Sequence, residues 1–217
     1  MLLSDFFNYL TYGELSQMDF GGEEIGEVTL ANYPNIISNV NAGLIELYKR
    51  FPLSVKKEVV TYVPDQENYT LTASDLLVVE KITNEAGESY PFNDANNEIS
   101  IFQTSFNTIS IPFDINNTEE EFADTDTTVT VVYKAAPARI PLDTTDATSV
   151  TLPITDQYLE PLLNYVTYRI FSGINANNPD TVNYYNKFEA ACALLRNAGM
   201  FHKDAPTNLR LENNGWL

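Results

Sequence analysis

The spacing of hydrophobic residues along the chain changes twice, from a helical period to a strict alternation and then back to a helical period. Near the start, Phe6, Phe7 and Leu10 recur at helical spacing after Ser4, which is a candidate N-cap. A second helical run stops at Pro52, and its apolar residues are Ile36, Ile37, Val40, Leu44, Leu47 and Phe51. These spacings predict two helices within residues 1–51.

Between Lys57 and Ile154 the hydrophobic residues alternate with polar ones, as in half-buried antiparallel strands. The clearest cases are the stretches NTISIPFDI and TTVTVVYKA, and weaker ones are EVVTYV, YTLTA, LLVVEKIT, EISIF and TSVTLPI. About six to eight strands are predicted, enough for a small sheet or barrel. Pro112 is expected at an edge or a bulge of the sheet, because it has no backbone N–H to donate.

After Leu152 and Pro153 the helical period returns and predicts two helices joined by the short segment GINANNP. The apolar side of the first helix consists of Leu159, Leu162, Leu163, Val166 and Ile170. The second helix is predicted to start after Asp180 as N-cap and to end at Gly199. Its apolar side consists of Val182, Tyr185, Phe188, Cys192 and Leu195. Residues 200–217 show no period and are predicted to form an extended arm.

Helices at both ends and strands between them predict an α+β fold. Neither terminal pair of helices can bury its apolar side alone. We therefore expect the two pairs to form an antiparallel helical bundle into which an antiparallel β domain is inserted. The expected divisions are N-terminal helices in residues 1–56, the β domain in 57–154, a C-terminal helical hairpin in 155–199 and an extended C-terminal arm in 200–217.

The composition adds that the chain is strongly acidic, with a net charge of -18 over 217 residues. Most of the excess lies in residues 57–150, which hold 17 acidic and 4 basic side chains. Such a surface repels nucleic acid and anionic membranes. Residues 1–5 carry no positive charge, and the longest strictly apolar run, residues 190–195, is far shorter than the roughly 20 residues of a membrane helix. We expect a soluble protein that is not exported and has no membrane partner.

The residues that usually carry chemistry are few. The chain has one histidine, His202 in the predicted arm, and one cysteine, Cys192 on the apolar side of a predicted helix, so no zinc site is expected. The acidic run from Glu119 to Asp126 lacks the ordered spacing and the glycine of a calcium loop. No catalytic residue, cofactor or metal is therefore assigned, and we expect the protein not to be an enzyme.

Two residues need a partner to explain their positions. Arg169 lies near the end of an otherwise apolar helix among aromatic residues, where it needs a carboxylate or an aromatic face. An ion pair within the chain and a contact with a neighbouring subunit would both satisfy this requirement. Trp216 lies in an arm that cannot fold alone, and it is expected either to pack on the helices of its own chain or to anchor the arm on a partner.

The stretches LPITDQYLEPLLNYVTYRIFSG and DTVNYYNKFEAACALL together resemble the C-terminal helical hairpin of tailed-phage head-to-tail adaptor proteins, also called connector or tail-tubular-type proteins. That family has a Leu-Pro after the last strand, a helix with a Tyr-Val-x-Tyr-Arg core, and a second helix with spaced aromatic residues. The matching residues here are Leu152, Pro153, Tyr165, Val166, Tyr168, Arg169, Tyr184, Tyr185 and Phe188. The stretch NAGLIELYKRFPL is similar to the family's helix before the β insertion.

The resemblance implies a structural protein of the virion neck or tail that is assembled in the host cytoplasm. It implies a ring, expected to be a dodecamer, that joins the portal protein to a downstream nozzle or tail tube protein and lets DNA pass without specific binding. The residues expected at the subunit interface are Tyr158, Tyr165, Tyr168, Arg169, Tyr184 and Phe188. Those expected in a portal-binding arm are Leu209, Leu211, Trp216 and Leu217.

Two other functions stay open from the sequence. One is a tail-associated cell-wall hydrolase that uses paired carboxylates for acid and base catalysis. The other is a receptor- or carbohydrate-binding module built on the β domain. That function would require aromatic side chains to cluster on one exposed face, and the candidates are Tyr62, Tyr69, Tyr90 and Phe92.

Overall fold

The structure of the protein is a computed structural model. It describes residues 1–16, 26–63, 66–112, 128–174 and 179–198. The chain forms two compact units, which we call the helical unit and the β unit. The helical unit consists of residues 1–43 and 140–217, and the β unit of residues 44–139.

Four α-helices lie in the described residues, and they are α1 (Leu3–Tyr9), α2 (Tyr33–Arg50), α3 (Leu159–Ile174) and α4 (Pro179–Asn197). A π-helical turn, Leu10–Glu14, continues α1, and a 3₁₀ turn, Asp156–Tyr158, precedes α3. The helices predicted from the spacing are therefore present. Together with the strands described below, they confirm the mixed α+β fold.

Two helix starts differ from the prediction by one or two residues. Helix α1 begins at Leu3, before the predicted cap Ser4, and the Asp5 carboxylate accepts a hydrogen bond from the Leu2 N–H at 3.3 Å. Helix α4 begins at Pro179, so the predicted cap Asp180 lies inside its first turn. Proline suits this position, because its missing N–H would have no partner in the first turn of a helix.

The N-terminal residues are bound to the segment that precedes α3. The Leu3 N–H donates to the Val150 carbonyl, and the Leu152 N–H donates to the Met1 carbonyl, both at 2.9 Å. The predicted strand TSVTLPI is wrong, because this segment forms only an isolated antiparallel bridge between Thr151 and Leu2. Its extended backbone instead ties the start of the chain to the start of the C-terminal helices.

Close packing of α2 on α3 depends on Gly43. A Cβ atom at this position would lie 2.6 Å from Leu162 Cδ1 and 3.0 Å from Tyr165 Cδ1. The absence of a side chain therefore lets the two helices approach closely. The buried apolar residues of the helical unit include Leu3, Phe6, Leu10, Ile36, Val40, Leu162, Val166 and Ile170.

The β unit contains two three-stranded antiparallel sheets in its described residues. The strands are β1 (Val55–Thr61), β2 (Asn68–Thr70), β3 (Leu76–Thr83), β4 (Phe102–Ser105), β5 (Thr108–Ser110) and β6 (Thr128–Ala135). The first sheet has the order β1-β6-β3 and the second the order β2-β5-β4. Both sheets contribute to one cluster of buried residues, which includes Val60, Tyr69, Val79, Ile82, Ile109, Val129 and Val131.

Pro112 was predicted at an edge or a bulge of the sheet, but it lies at neither. It lies beyond the end of β5, which is the central strand of the second sheet and ends at Ser110. The last main-chain bond before it is donated by Ile111 to the Glu67 carbonyl at 2.8 Å. A proline after the ladder removes no ladder hydrogen bond, so β5 can be central.

The aromatic residues that a carbohydrate-binding face would require lie in or against the core of the β unit. Tyr69 and Tyr90 are each 4% exposed, and Tyr62 and Phe92 are partly buried against the same cluster. Tyr69 is further held by its hydroxyl, which donates to the Val63 carbonyl at 3.0 Å. The condition set for a carbohydrate-binding module is therefore not met.

Candidate functional site

The hairpin formed by α3 and α4 carries most of the residues predicted to contact a neighbouring subunit. Helix α3 forms because Leu162, Val166 and Ile170 recur four residues apart and are buried on one side. Pro161 lies in its first turn, where a missing N–H breaks no helical hydrogen bond. This buried side fixes the direction in which every other side chain of the helix points.

At the buried end of the hairpin, aromatic rings connect the two helices. The Tyr165 and Phe188 rings meet edge to face with centroids 5.1 Å apart, and Tyr165 meets Tyr168 in the same way at 6.0 Å. Such pairs add to the stability that burial alone provides. The hairpin is therefore held together by side chains that the sequence pattern had assigned to a contact between subunits.

Towards the surface the aromatic contacts continue along both helices. The Tyr168 and Tyr185 centroids lie 5.1 Å apart, and Phe171 stacks on Tyr184 at 5.3 Å. Lys187 Nζ lies 4.6 Å from the centroid of the Tyr184 ring, a cation–π distance. This outer part of the cluster keeps one side in solvent.

Three of the six predicted interface residues are buried within the chain itself. Tyr158 is 1% exposed, Phe188 0% and Tyr165 9%. Burial raises the pKa of the Tyr158 phenol. In the single chain these three side chains therefore belong to its own core.

The other three predicted interface residues reach the surface. Tyr168 and Tyr184 are half-buried, and Arg169 is exposed. Among the residues that the structure describes, no ion pair joins Arg169 to a carboxylate. Of the two roles predicted for Arg169, the ion pair within the chain is therefore not observed in this part of the molecule.

The side of α4 that faces outward was predicted only in part, since Phe188 and Cys192, both predicted on the apolar side, are buried. Val182 and Tyr185 were predicted on the apolar side, but they are 58% and 39% exposed, and Leu194 is 70% exposed. Among the side chains of the helix that the structure describes, the buried ones are Thr181, Phe188, Ala191 and Cys192. The apolar pattern did not fully identify the buried side of α4, because Thr181, a polar residue, occupies a buried position. The small residue Ala191, next to the correctly predicted Cys192, was the signal that could have identified the packed side.

A second surface feature, which the sequence analysis did not predict, is an open groove of about 760 Å³ in the helical unit. It is lined by Met1, Asp5, Asn8, Tyr9, Tyr12, Gly13, Asp156 and Leu159. Tyr9 is 53% exposed and Tyr12 76%. The two tyrosines, three residues apart in a helical segment, were the available signal. The groove thus presents the exposed rings of Tyr9 and Tyr12 and the exposed side chains of Asp5 and Asp156 to solvent.

The described part of the chain holds neither a cluster of metal-binding side chains nor a membrane-spanning helix. Residues 1–16, 26–63, 66–112, 128–174 and 179–198 contain no group of three or more His, Cys, Asp or Glu side chains that could hold a metal ion. None of the helices in those ranges is long and apolar enough to cross a membrane. Cys192 is buried, as the sequence predicted.

Several sequence predictions fall on residues outside the described ranges. They are the acidic run from Glu119 to Asp126, the histidine His202, and the arm residues Leu209, Leu211, Trp216 and Leu217.

Comparison with known proteins gives one match and one negative result. A model of the protein family described as SU10 adaptor protein matches residues 10–210. The match covers both the helical unit and the β unit, and it confirms the resemblance to phage head-to-tail adaptors that the hairpin suggested. A search of curated proteins found no match.

Proposed function

The chain belongs to the SU10 adaptor protein family of phage head-tail adaptors, and from this premise we propose that it forms a ring that joins the portal to the tail. The protein is a structural, non-enzymatic component of a tailed phage virion, as its family indicates. The ring is proposed to be a dodecamer that contacts the portal protein on one side and a downstream nozzle or tail tube protein on the other.

The observation that carries this proposal is the set of exposed side chains on the α3–α4 hairpin. Val182, Tyr185 and Leu194 are exposed apolar side chains on one helix, and Arg169 is exposed on the other. Exposed apolar, tyrosine and arginine side chains together are typical of protein interfaces. We propose that the hairpin packs against the adjacent subunits through these side chains, with Tyr168 and Tyr184 at the border of the contact.

The proposed domain organisation follows from the same roles. The helices of residues 1–56 and 155–199 would form one helical domain, and residues 57–154 would be the β domain inserted into it. Contact of Gly43 in α2 with Leu162 and Tyr165 in α3 supports this helical domain. The arm of residues 200–217, with Trp216 as an apolar anchor, is proposed to bind the portal protein.

The acidic excess suits the passage of DNA through a ring. With a net charge of -18 the chain repels phosphates, and acidic side chains facing the lumen would let DNA pass without binding. Assembly on the portal is proposed to take place in the host cytoplasm. Replacing Glu119, Glu120 and Glu121 by glutamine should then slow DNA ejection, and unchanged ejection would contradict the acidic lumen.

Electron microscopy of the purified chain mixed with the portal protein of the same phage tests the ring. We expect rings on the narrow end of the portal. The free chain can stay monomeric, since binding to the portal can drive assembly by mass action. Monomers that do not bind the portal at any concentration would contradict the proposed function.

The role of the hairpin can be tested in the same assay with a matched pair of variants. Leu194 and Phe106 are 70% and 75% exposed, one on α4 and the other in the turn between β4 and β5. Leu194→Asp should reduce the yield of rings, because it places a charge in the proposed interface, whereas Phe106→Asp should leave it unchanged. Equal yields from both variants would exclude this part of the hairpin from the interface.

A further inference from the structure

Strand β1 lies at one edge of the first sheet, and half of its main-chain groups face away from that sheet. The Ala135 N–H donates to the Ser54 carbonyl at 2.9 Å, and these two residues continue the register of the β1–β6 pair. Hydrogen-bonded pairs recur at every second residue of an antiparallel ladder. The residues that direct their N–H and C=O groups away from β6 are therefore Val55, Lys57, Val59 and Thr61.

These four residues make no main-chain hydrogen bond to any other segment within the described ranges. Their side chains are also exposed. An edge with unpaired N–H and C=O groups and exposed β-branched side chains is a template for another strand. The free edge ends before Val63, because the N–H and the carbonyl of Val63 both bond to the Tyr69 hydroxyl at 3.0 Å.

The charged side chains of β1 differ between its two faces. On the face that carries the buried Val60, Lys56 is paired with Asp75. On the same face the Glu58 carboxylate accepts hydrogen bonds of 2.6 to 3.1 Å from the segment that follows β2. Successive side chains of a strand point to opposite faces. Lys57 is therefore the one charged residue on the outer face of the strand.

A second copy of β1 fits this edge in one two-fold register. Pairing Lys57 with Lys57 sets like charges opposite, and pairing Lys57 with Val59 sets Glu58 opposite Glu58, both of which are destabilising. Pairing Val59 with Val59 avoids both, because Lys57 then faces Thr61 of the second copy and Glu58 faces Val60. The two Glu58 carboxylates are diagonal in this register, and each is held by hydrogen bonds within its own chain. Registers centred further along the strand in either direction pair fewer of the free residues.

The exposed apolar side chains match in the same register. Val55, Val59 and Val63 are spaced four residues apart and are 46%, 62% and 46% exposed. Centring the contact on Val59 brings Val59 against its counterpart and Val55 towards Val63 of the second copy. Each facing pair of free residues exchanges two main-chain hydrogen bonds. Main-chain groups, apolar side chains and charges are therefore all complementary to a second copy of the same strand.

We propose that the free protein forms a two-fold dimer in which the β1 strands of two copies pair in antiparallel about Val59. The contact uses the same surface of both copies, so it joins two chains and does not continue around a ring. It goes beyond the proposed function and does not rest on it. Pairing covers an edge of the sheet that is otherwise open to unspecific strand addition. Because one strand per copy is a small interface, the dimer should dissociate on dilution.

Mild oxidation of cysteine variants of the purified chain tests the register. Val59→Cys places two thiols in a facing pair whose Cα atoms are about 5.5 Å apart, within the range of a disulfide. We expect disulfide-linked dimers from this variant, and Cys192 does not compete because it is 0% exposed.

Val55→Cys is the matched control on the same strand. Its two copies would lie about 26 Å apart, at roughly 3.3 Å per residue along the strand, so it should give no linked dimers. Equal yields from the two variants would overturn the register.

Exchange of charge at Val59 tests the same pair without a covalent bond. Val59→Lys and Val59→Glu should each weaken dimerisation about tenfold in sedimentation equilibrium, because each sets like charges opposite. Mixing the two variants should restore the dimer, and Val55→Lys should change the dissociation constant little. A mixture that stays as weak as its components would contradict the pairing of Val59 with Val59.

Hydrogen exchange of the wild-type chain gives a measurement that needs no variant. The Lys57 and Val59 amides should exchange more slowly as the protein concentration rises. The Glu58 amide, which points towards β6, is the internal control and should be protected at every concentration. A wild-type chain that sediments as a monomer at all concentrations, with no change in these amides, would overturn the dimer. That result would leave the proposed function standing, since rings on the portal are measured separately.

Discussion

The helical hairpin and the β unit bury their apolar side chains with different residues and leave different groups in solvent. The hairpin is closed by aromatic rings, of which Phe188 is 0% exposed, whereas the core of the β unit contains aliphatic residues such as Ile82 and Val131, also 0% exposed. The hairpin leaves apolar side chains such as Leu194 exposed. Within the described part of the chain, the main-chain groups of alternate residues of β1 point away from β6 and bond to no other segment.

This difference indicates two ways of contacting a neighbour. A helix satisfies its own backbone, so only its side chains can bind a partner, and their burial supplies the affinity. An edge strand can add main-chain hydrogen bonds, which fix direction and register. A protein that uses both would gain affinity from the hairpin and orientation from the sheet. The predictions below test whether the two regions are as separate as this comparison assumes.

The largest effect is expected from Phe188→Ala in the hairpin. It removes a fully buried ring that contacts Tyr165, and we expect a loss of about 3–5 kcal/mol in the free energy of unfolding. Tyr185→Ala, at a position 39% exposed, is the control and should cost clearly less. Hydrogen exchange should show the loss in α3 and α4 first. Equal loosening of β6 would mean that the two regions unfold as one.

Two glycine-to-alanine variants test the packing of α2 on α3. We expect them to change the stability by smaller amounts and with opposite signs. Gly43→Ala places a methyl group 3.0 Å from the Tyr165 ring and 2.6 Å from Leu162, so it should destabilise by about 1–3 kcal/mol despite a better helix propensity. Gly173→Ala, in α3 with nothing within 4 Å of the added Cβ, should stabilise by up to about 1 kcal/mol. Thermal unfolding measures both. Stabilisation by both variants would show that the helices do not need this close approach.

The sequence predicted the presence of helices and strands in both regions better than their exact bounds and their tertiary contacts. The stretch LLVVEKIT coincides with β3, because its β-branched residues and flanking turns define one strand. Strand β1 begins at Val55, before the predicted stretch EVVTYV, since the lysines at 56 and 57 gave no apolar alternation. Pairing with β6 over seven residues, which the local pattern does not contain, extends the strand.

The aromatic residues of the hairpin were predicted from the sequence, but not which of them are buried within the chain. The hairpin and its aromatic residues could be named from spacing, and Arg169 does reach the surface. Aromatic residues are common both in cores and in interfaces, so the pattern could not separate the buried Phe188 from the half-buried Tyr184. The side of α4 that packs depends on the position of α3 against it, which is a property of tertiary structure.

A more modest change is expected at Thr167, a polar residue in the core of the helical unit. It is 0% exposed, and within the described part of the chain its hydroxyl has no hydrogen-bond partner. Thr167→Val keeps the shape and removes the unpaired group, so we expect stabilisation of about 1 kcal/mol, seen in chemical denaturation. Thr144→Val is the control: that hydroxyl donates to the Pro141 carbonyl at 2.7 Å, and its loss should not stabilise. A loss of stability in Thr167→Val would show that the hydroxyl does have a hydrogen-bond partner in the folded protein.

The smallest effect is expected from a carboxylate of the β unit as the pH falls. A hydrogen bond from Lys56 lowers the pKa of Asp75, and the Tyr133 hydroxyl also donates to it at 3.2 Å. A carboxyl whose pKa is lower in the folded state stabilises above its ordinary pKa of 3.8, and the contribution is lost as the pH falls through that value and below. Asp75→Asn should therefore be less stable than the wild type at neutral pH, and the difference should disappear at strongly acidic pH. The midpoint shift should be only a few degrees, because the pair is partly exposed.

Asp146 in the helical unit provides the matched control for this pH dependence. Its pKa is lowered by the Thr148 hydroxyl, which donates at 2.6 Å, so Asp146→Asn should weaken stability over the same acidic range. Hydrogen exchange between neutral pH and about pH 3 assigns each loss to a region. If the units respond separately, Asp75→Asn changes the protection of β1 and β6, and Asp146→Asn changes that of α1. If Asp75→Asn changes the protection of α1, or Asp146→Asn that of β1 and β6, the acid sensitivity of the sheet and that of the helices are coupled. The two regions would then not be as separate as the comparison assumes.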